Sequence, residues 1–285
     1  MKIKQDGAIT KVWFDDTFSG WEQWLFLRSD AHHDSAHCRR DLELKHLNEA
    51  VKRNALILDG GDMLDAMQGH YDPRRSYDDL RPEYKHKDYY DLIEGDAVKH
   101  YAPYAKNWLL MARGNHESSV LDKISIDLTS RITGRLNLET GSSVIPAKYG
   151  GWVIFYFSED GGAGHRSSIR LKYFHGSGGD APVTRGAIQT ARQAVYLPDA
   201  DIVWNGHNHN SYTIPIKRER ITAQGRLYFD ICWHVRTPGY KDDYGMGEEG
   251  WEVERGGVPK PHGGAWIRLY SENNRVKAQA IEEVE

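Results

Sequence analysis

Asn115 and His116 stand side by side in Gly114-Asn115-His116-Glu117. The asparagine offers a hard carbonyl oxygen to a metal ion, and the histidine offers a proton donor one residue away. Similar residues recur as Asp30-Ala31-His32, Gly61-Asp62-Met63-Leu64-Asp65, His175 before a glycine run, and Gly206-His207-Asn208-His209. One such peptide alone reads as a turn carrying a solvated histidine. Together they supply two carboxylates (Asp30, Asp62), one amide (Asn115) and four histidines (His32, His175, His207, His209), with His116 left over. That is more nitrogen and oxygen than one zinc site takes, and it predicts two metal ions. Asp62 is central in the order and is expected to bridge. Asp30, His32 and His209 then complete one site, and Asn115, His175 and His207 the other. Two dications against two carboxylates leave a positive cluster even with a bridging hydroxide, which suits attack on an anionic phosphate ester. His116 is expected to protonate the leaving group, and Asp65 to hold its tautomer. With no thiolate in the set, manganese is our first expectation, with iron, zinc and magnesium as alternatives.

Apolar runs must position these residues. Trp21–Arg28 reads as a strand ending at Asp30 and His32. Residues 38–53 carry Leu44, Leu47 and Val51 at helical spacing, and Ala55–Leu58 is a short strand ending at Asp62. Strand, helix, strand is a βαβ unit with parallel pairing. Trp108–Ala112 leads to Asn115, with a helix expected over Ser118–Ile132. Gly151–Phe157 and Ile169–Phe174 read as paired strands, the second ending at His175. A helix over Thr184–Tyr196 and a strand over Ala200–Trp204 lead to His207 and His209. Strands over Tyr212–Arg220, Arg226–Val235 and Ala265–Tyr270 follow. Five strands thus end in Asp, Asn or His, and ligands of open α/β sheets bind beyond strand carboxyl ends.

The bulk numbers admit this reading. The chain has 285 residues, a net charge of −4 and two cysteines, Cys38 and Cys232, in no metal-binding spacing. Mean hydropathy is −0.68. No apolar run approaches a membrane span, and Met1–Lys11 is too polar for a signal core. We therefore expect a cytoplasmic protein without a membrane partner. The acidic balance argues against a passive nucleic-acid coat, but leaves DNA or RNA open as a substrate.

In order and spacing the five motifs resemble the calcineurin-like metallophosphoesterase superfamily, with its D-x-H, G-D-x-x-D, G-N-H-[DE], lone His and G-H-x-H. They cover residues 30 to 209, and no core position departs from the pattern. The resemblance implies an α/β fold, a four-layer αββα sandwich, as one domain over residues 1–285. It also implies the ligand set above, His116 as proton donor and Asp65 as its partner. The arginine that follows G-D-x-x-D in the protein phosphatases is replaced by Ala66-Met67, which points away from that branch. The Tyr/Lys-rich layout before G-N-H-E is similar to the nuclease and phage-type phosphoesterase branches. We therefore expect a phosphodiesterase acting on nucleic acid or a nucleotide. A phosphomonoesterase and a non-catalytic binding scaffold are the alternatives.

Two segments fall outside this scheme. Residues 68–106 are expected to form an inserted cap or arm. Its Tyr71, Arg74, Arg75, Tyr77, Arg81, Tyr84, Lys85, Lys87, Tyr89 and Tyr90 could stack bases and hold phosphates, or pack on the sandwich. The long loop over Thr237–Gly264, with Tyr240, Tyr244, Trp251 and Lys260, is expected to close over the substrate or to form a dimer contact. His33, Asp34 and His37 read as solvated loop residues.

Overall fold

The structure, a computed structural model, describes residues 1–67, 80–158, 167–179, 184, 186–245, 247, 251–254, 256–273 and 275–285. In chain order its elements are β1 (Lys2–Asp6), β2 (Ile9–Phe14), β3 (Glu22–Arg28), α1 (Arg40–Lys52), β4 (Leu56–Asp59), α2 (Tyr89–Tyr101), β5 (Trp108–Met111), α3 (Asn115–Ile124), α4 (Leu128–Thr140), β6 (Ile145–Pro146), β7 (Gly150–Phe157), β8 (Ser167–Phe174), α5 (Ala187–Tyr196), β9 (Ile202–Asn205), β10 (Tyr212–Ile221), β11 (Leu227–Arg236), β12 (Gly263–Glu272) and β13 (Arg275–Val284). They build two mixed sheets, ordered β13-β12-β3-β4-β5-β6 and β1-β2-β7-β8-β9-β11-β10. Strands β3 to β6 run parallel, as the βαβ reading requires.

Alternation along β3 shows how the layers form. Leu25 and Leu27 point between the sheets, where they meet Leu58, Leu110, Phe155, Leu171 and Trp204. Phe26, on the other face, meets Leu47 of α1, Ile93 of α2 and Leu136 of α4. Successive strand side chains face opposite ways, so each central strand feeds two cores. A smaller cluster, Ala200, Val203 and Cys232 with Leu197, lies on the outer face of the second sheet near α5. The order of layers is helix, sheet, sheet, helix: the αββα sandwich.

Three expectations change in detail. The helix expected over Ser118–Ile132 is two helices, because Ser125 turns left-handed (φ 57°) and Asp127 caps α4 by accepting from the Ser130 amide at 3.1 Å. The insert lies outside the described residues over 68–79, which hold Tyr71, Arg74, Arg75 and Tyr77. In the described remainder Tyr84, Tyr89, Ile93, Val98 and Tyr101 are buried in the core. Tyr84 donates to Asp96, Tyr89 to Asp34 and Arg81 to the Ser35 carbonyl, so these three side chains are committed to the fold. Finally, His33 and Asp34 are fully buried rather than solvated, and only His37 of that trio is exposed.

Candidate metal centre

The first two ligand loops are stitched side by side. The amides of Asp30, His32 and His33 donate to the carbonyls of Gly61, Asp62 and Met63 at 2.9, 3.1 and 2.9 Å. This ladder continues the β3–β4 pairing past the strand ends and carries Asp30 and His32 to Asp62. The third loop reaches the same point because Glu117, on the first turn of α3, clamps it to the second. Its carboxylate accepts from the amides of Gly114 and Leu64, both at 2.9 Å, and of Asp62 at 3.2 Å. Burial, with Asp62 close by, raises the Glu117 carboxyl to about 7. The second sheet contributes His175 after β8 and His207 and His209 after β9. The expected convergence at one sheet edge is therefore a meeting of strand ends from both sheets.

Five of the proposed ligands, Asp30, His32, Asp62, His207 and His209, have φ between 46° and 75°. Left-handed backbone outside glycine costs about 1–2 kcal/mol per residue, although Asp and His tolerate it better than most residues. Strain gathered on the residues that face one point is a mark of a functional site.

The donors form two groups, Asp30–His32–His209 and Asp62–His175–His207, with the ligand atoms of each group within 4.8 Å of one another. His175 shows their logic. Its Nδ1–H donates to the Gly60 carbonyl at 3.0 Å. Its Nε2 lone pair then faces Asp62 Oδ2 and Asn115 Oδ1, each at 3.0 Å. Three acceptors meeting in a buried place need a proton or a cation between them. Burial alone would lower the His175 pKa, but Asp62 and Asp30 outweigh it and push it up to about 10. In the other group, Asp30 Oδ1 and His32 Nε2 are buried without a hydrogen-bond partner. Asp30 Oδ1 is 3.5 Å from His209 Nε2 and 4.0 Å from His175 Nε2, which joins the two groups. A donor set of oxygen and imidazole nitrogen, with orphaned atoms aimed inward, fits divalent metal binding.

The other site residues surround this cluster. His116 Nδ1 donates to the main-chain carbonyl of Asp65, leaving Nε2 3.7 Å from Asp62 Oδ2. The Asp65 carboxylate lies farther off, 3.8 Å from His116 Nδ1. It is 2.9 Å from His32 Nδ1 and 3.2 Å from Lys241 Nζ. Asp65 thus meets His116 through its backbone and His32 through its side chain. Lys241, which no motif marks, sits in the Thr237–Gly264 loop, expected to close over the substrate or to form a dimer contact, next to Tyr240. Tyr240 itself is fully buried and contacts His46, while Lys260 pairs with Glu252. Asp34 was also missed: it accepts from the amides of Asp65 and Ala66 and holds that loop in place.

The motif glycines are required by crowding. A Cβ on Gly114 would lie 2.0 Å from Asp62 Oδ1, and one on Gly206 would lie 2.5 Å from Asp30 Oδ2. Gly114→Ala is expected to push Asp62 aside and to lower the bound manganese by at least one ion per chain, measured by elemental analysis. The His175 proton yields a second expectation. Metal must displace it, so affinity falls as pH falls, by about tenfold per unit for one proton released. Titration calorimetry in buffers of different ionisation enthalpy will count that proton.

No family model and no curated protein matches the sequence. Among solved structures, the chain is similar to Vacuolar Protein Sorting 29 from Cryptosporidium parvum, at 10% identity and a TM-score of 0.41, covering 93% of this chain and 99% of that one. It is similar to zinc-complexed Vps29 from Entamoeba histolytica at 10% identity and a TM-score of 0.38, covering 91% and 98%. A metallophosphoesterase from Sphaerobacter thermophilus is similar at 12% identity and a TM-score of 0.35, covering 91% and 89%. The five motifs that resemble the calcineurin-like metallophosphoesterase superfamily meet, in this chain, at the strand ends of a two-sheet αββα sandwich, the fold that the resemblance implied.

Proposed function

We propose that this chain is a metal-dependent phosphodiesterase, hydrolysing a nucleic-acid or nucleotide diester at a dinuclear centre. The observation that carries the reading is the facing of acceptor atoms around His175 Nε2 and Asp30 Oδ1. Asp30, His32 and His209 would hold one ion, Asn115, His175 and His207 the other, and Asp62 would be shared. Bound there, divalent ions supply Lewis acidity and a nucleophile at neutral pH.

The protein's own groups do the rest. His116 is oriented by its Nδ1–H bond to the Asp65 carbonyl, so Nε2 is the atom that passes a proton to the departing oxygen. Burial would lower its pKa, but Asp62 and Asp65 raise it above the ordinary histidine value, which keeps a proton available. Asp65 steadies His32 and Lys241. A diester carries one negative charge, whereas a monoester at neutral pH approaches two. Lys241, a positive side chain that reaches the cluster, is already paired with Asp65 and Asp243. That balance favours the less charged ester.

Rates on matched aryl phosphodiester and phosphomonoester substrates with manganese test this reading. The expected result is faster hydrolysis of the diester. A preference for the monoester selects the phosphomonoesterase alternative, and bound metal without hydrolysis of either selects the scaffold.

A further inference from the structure

Behind the metal centre lies a second knot of donors that the proposed chemistry does not use. His33 follows β3, Glu43 is on α1 and His100 is on α2. One donor atom from each lies within 4.8 Å of the others. Glu43 Oε2 is 3.1 Å from His100 Nε2 and 3.7 Å from His33 Nδ1. The Glu43 and His33 side chains are fully buried, and that of His100 is 12% exposed.

The protons in this knot satisfy only part of it: His100 Nε2–H donates to Glu43 Oε2 at 3.1 Å, but none is placed between that oxygen and His33 Nδ1. His33 Nε2 is 2.9 Å from Asp96 Oδ2, so the imidazole proton is directed at Asp96. The Nδ1 lone pair then faces the Glu43 oxygen and has no hydrogen-bond partner. Two buried acceptors facing each other cost free energy unless something positive lies between them. Arg28 does not take that place. Its guanidinium pairs with Asp59 and with the other Glu43 oxygen, Oε1, which also accepts from the Tyr101 hydroxyl. Glu43 Oε2 is left to the two imidazoles.

We propose that His33 Nδ1, His100 Nε2 and Glu43 Oε2 bind a zinc ion at a three-ligand site, its fourth position left to water, separate from the dinuclear centre. Two imidazoles and a carboxylate are a zinc donor set. Tetrahedral zinc with bonds of about 2.0–2.1 Å holds its ligand atoms roughly 3.3–3.4 Å apart, and the observed 3.1 and 3.7 Å bracket that spacing. Asp96 on His33 Nε2 supplies the carboxylate that orients a zinc-bound histidine. Asp96 is itself held by Arg40 at 2.8 Å and by the Tyr84 hydroxyl. The charges admit a dication, since Glu43 and Asp59 outnumber Arg28 within the knot. The partly exposed His100 gives the ion its way in. Zinc here ties α1 and α2 to the loop that carries Asp30 and His32.

Two measurements on the whole chain test the site. Protein loaded with zinc and desalted is assayed for zinc per chain, beside His100→Phe, which keeps a ring against His33 and Tyr101. The variant is expected to hold one ion fewer. Crystals of the unaltered protein grown with zinc are expected to show an anomalous peak at the zinc edge between His33, Glu43 and His100. An unchanged count in a folded variant overturns the proposal, as does the absence of that peak. The map also separates this site from the proposed function. Missing peaks at Asp30–His32–His209 and Asp62–His175–His207 would count against the dinuclear centre and leave the third site standing.

Discussion

Asp62→Asn is expected to remove phosphodiesterase activity and to lower bound manganese from two ions per chain to one or none. The substitution keeps shape and removes charge. Asp62 uses both oxygens, Oδ1 accepting from the His116 amide at 2.9 Å and Oδ2 standing 3.0 Å from His175 Nε2. An asparagine can still accept the His116 amide with its carbonyl, but its NH2 group then points at the donors where a negative oxygen stood. It offers a cation no charge and no second oxygen, so neither ion keeps a shared ligand. Loss of several kcal/mol of charge stabilisation corresponds to a rate loss on the order of 10³-fold or more. Elemental analysis and diester hydrolysis on the same sample read both effects. Two ions with undiminished rate would show that Asp62 does not bridge.

His116→Ala should separate chemistry from metal binding. General acid catalysis contributes about 10²–10⁴-fold, and the rate with manganese should fall by that order while the ion count stays at two. The loss should be larger for an alkyl leaving group than for a nitrophenyl one, because a good leaving group needs no proton. That dependence distinguishes a proton donor from a residue that merely packs beside His32, whose ring centroid is 4.7 Å away. Equal losses across leaving groups would reassign His116 to positioning.

Much of the scaffold was legible because buried strands must be apolar. Leu25–Leu27 and Leu56–Leu58 feed cores on both faces, so they stand out as unbroken runs ending at Asp30 and Asp62. Strands β1, β2 and β13 were not legible. They lie at or beside the sheet edges, where charged residues are tolerated; β1 is mostly exposed, and β13 alternates lysine, glutamine and glutamate with small residues. The break between α3 and α4 went unread because it depends on one serine taking a left-handed turn.

The proposed donors stand out in the sequence through type and order, since metals restrict both. Their supports stand out less. Asp34 and His33 look like loop polar residues beside a motif, and only three dimensions show them buried under Tyr89 and Asp96. Lys241 comes from a loop some 30 residues beyond the last motif, and no local spacing connects it to Asp65. Asp65 is expected from the sequence to hold His116, and the atom that reaches the ring is its main-chain carbonyl oxygen. That role depends on which atom reaches the ring, and sequence order does not carry that.

Whether the two donor groups hold a pair of ions around Asp62 can be read from crystals grown with manganese and measured for anomalous scattering. Two peaks are expected roughly 3.5–4 Å apart, one beside Asp30, His32 and His209, the other beside Asn115, His175 and His207, with Asp62 touching both. A single peak, or none among these side chains, would contradict the shared pair.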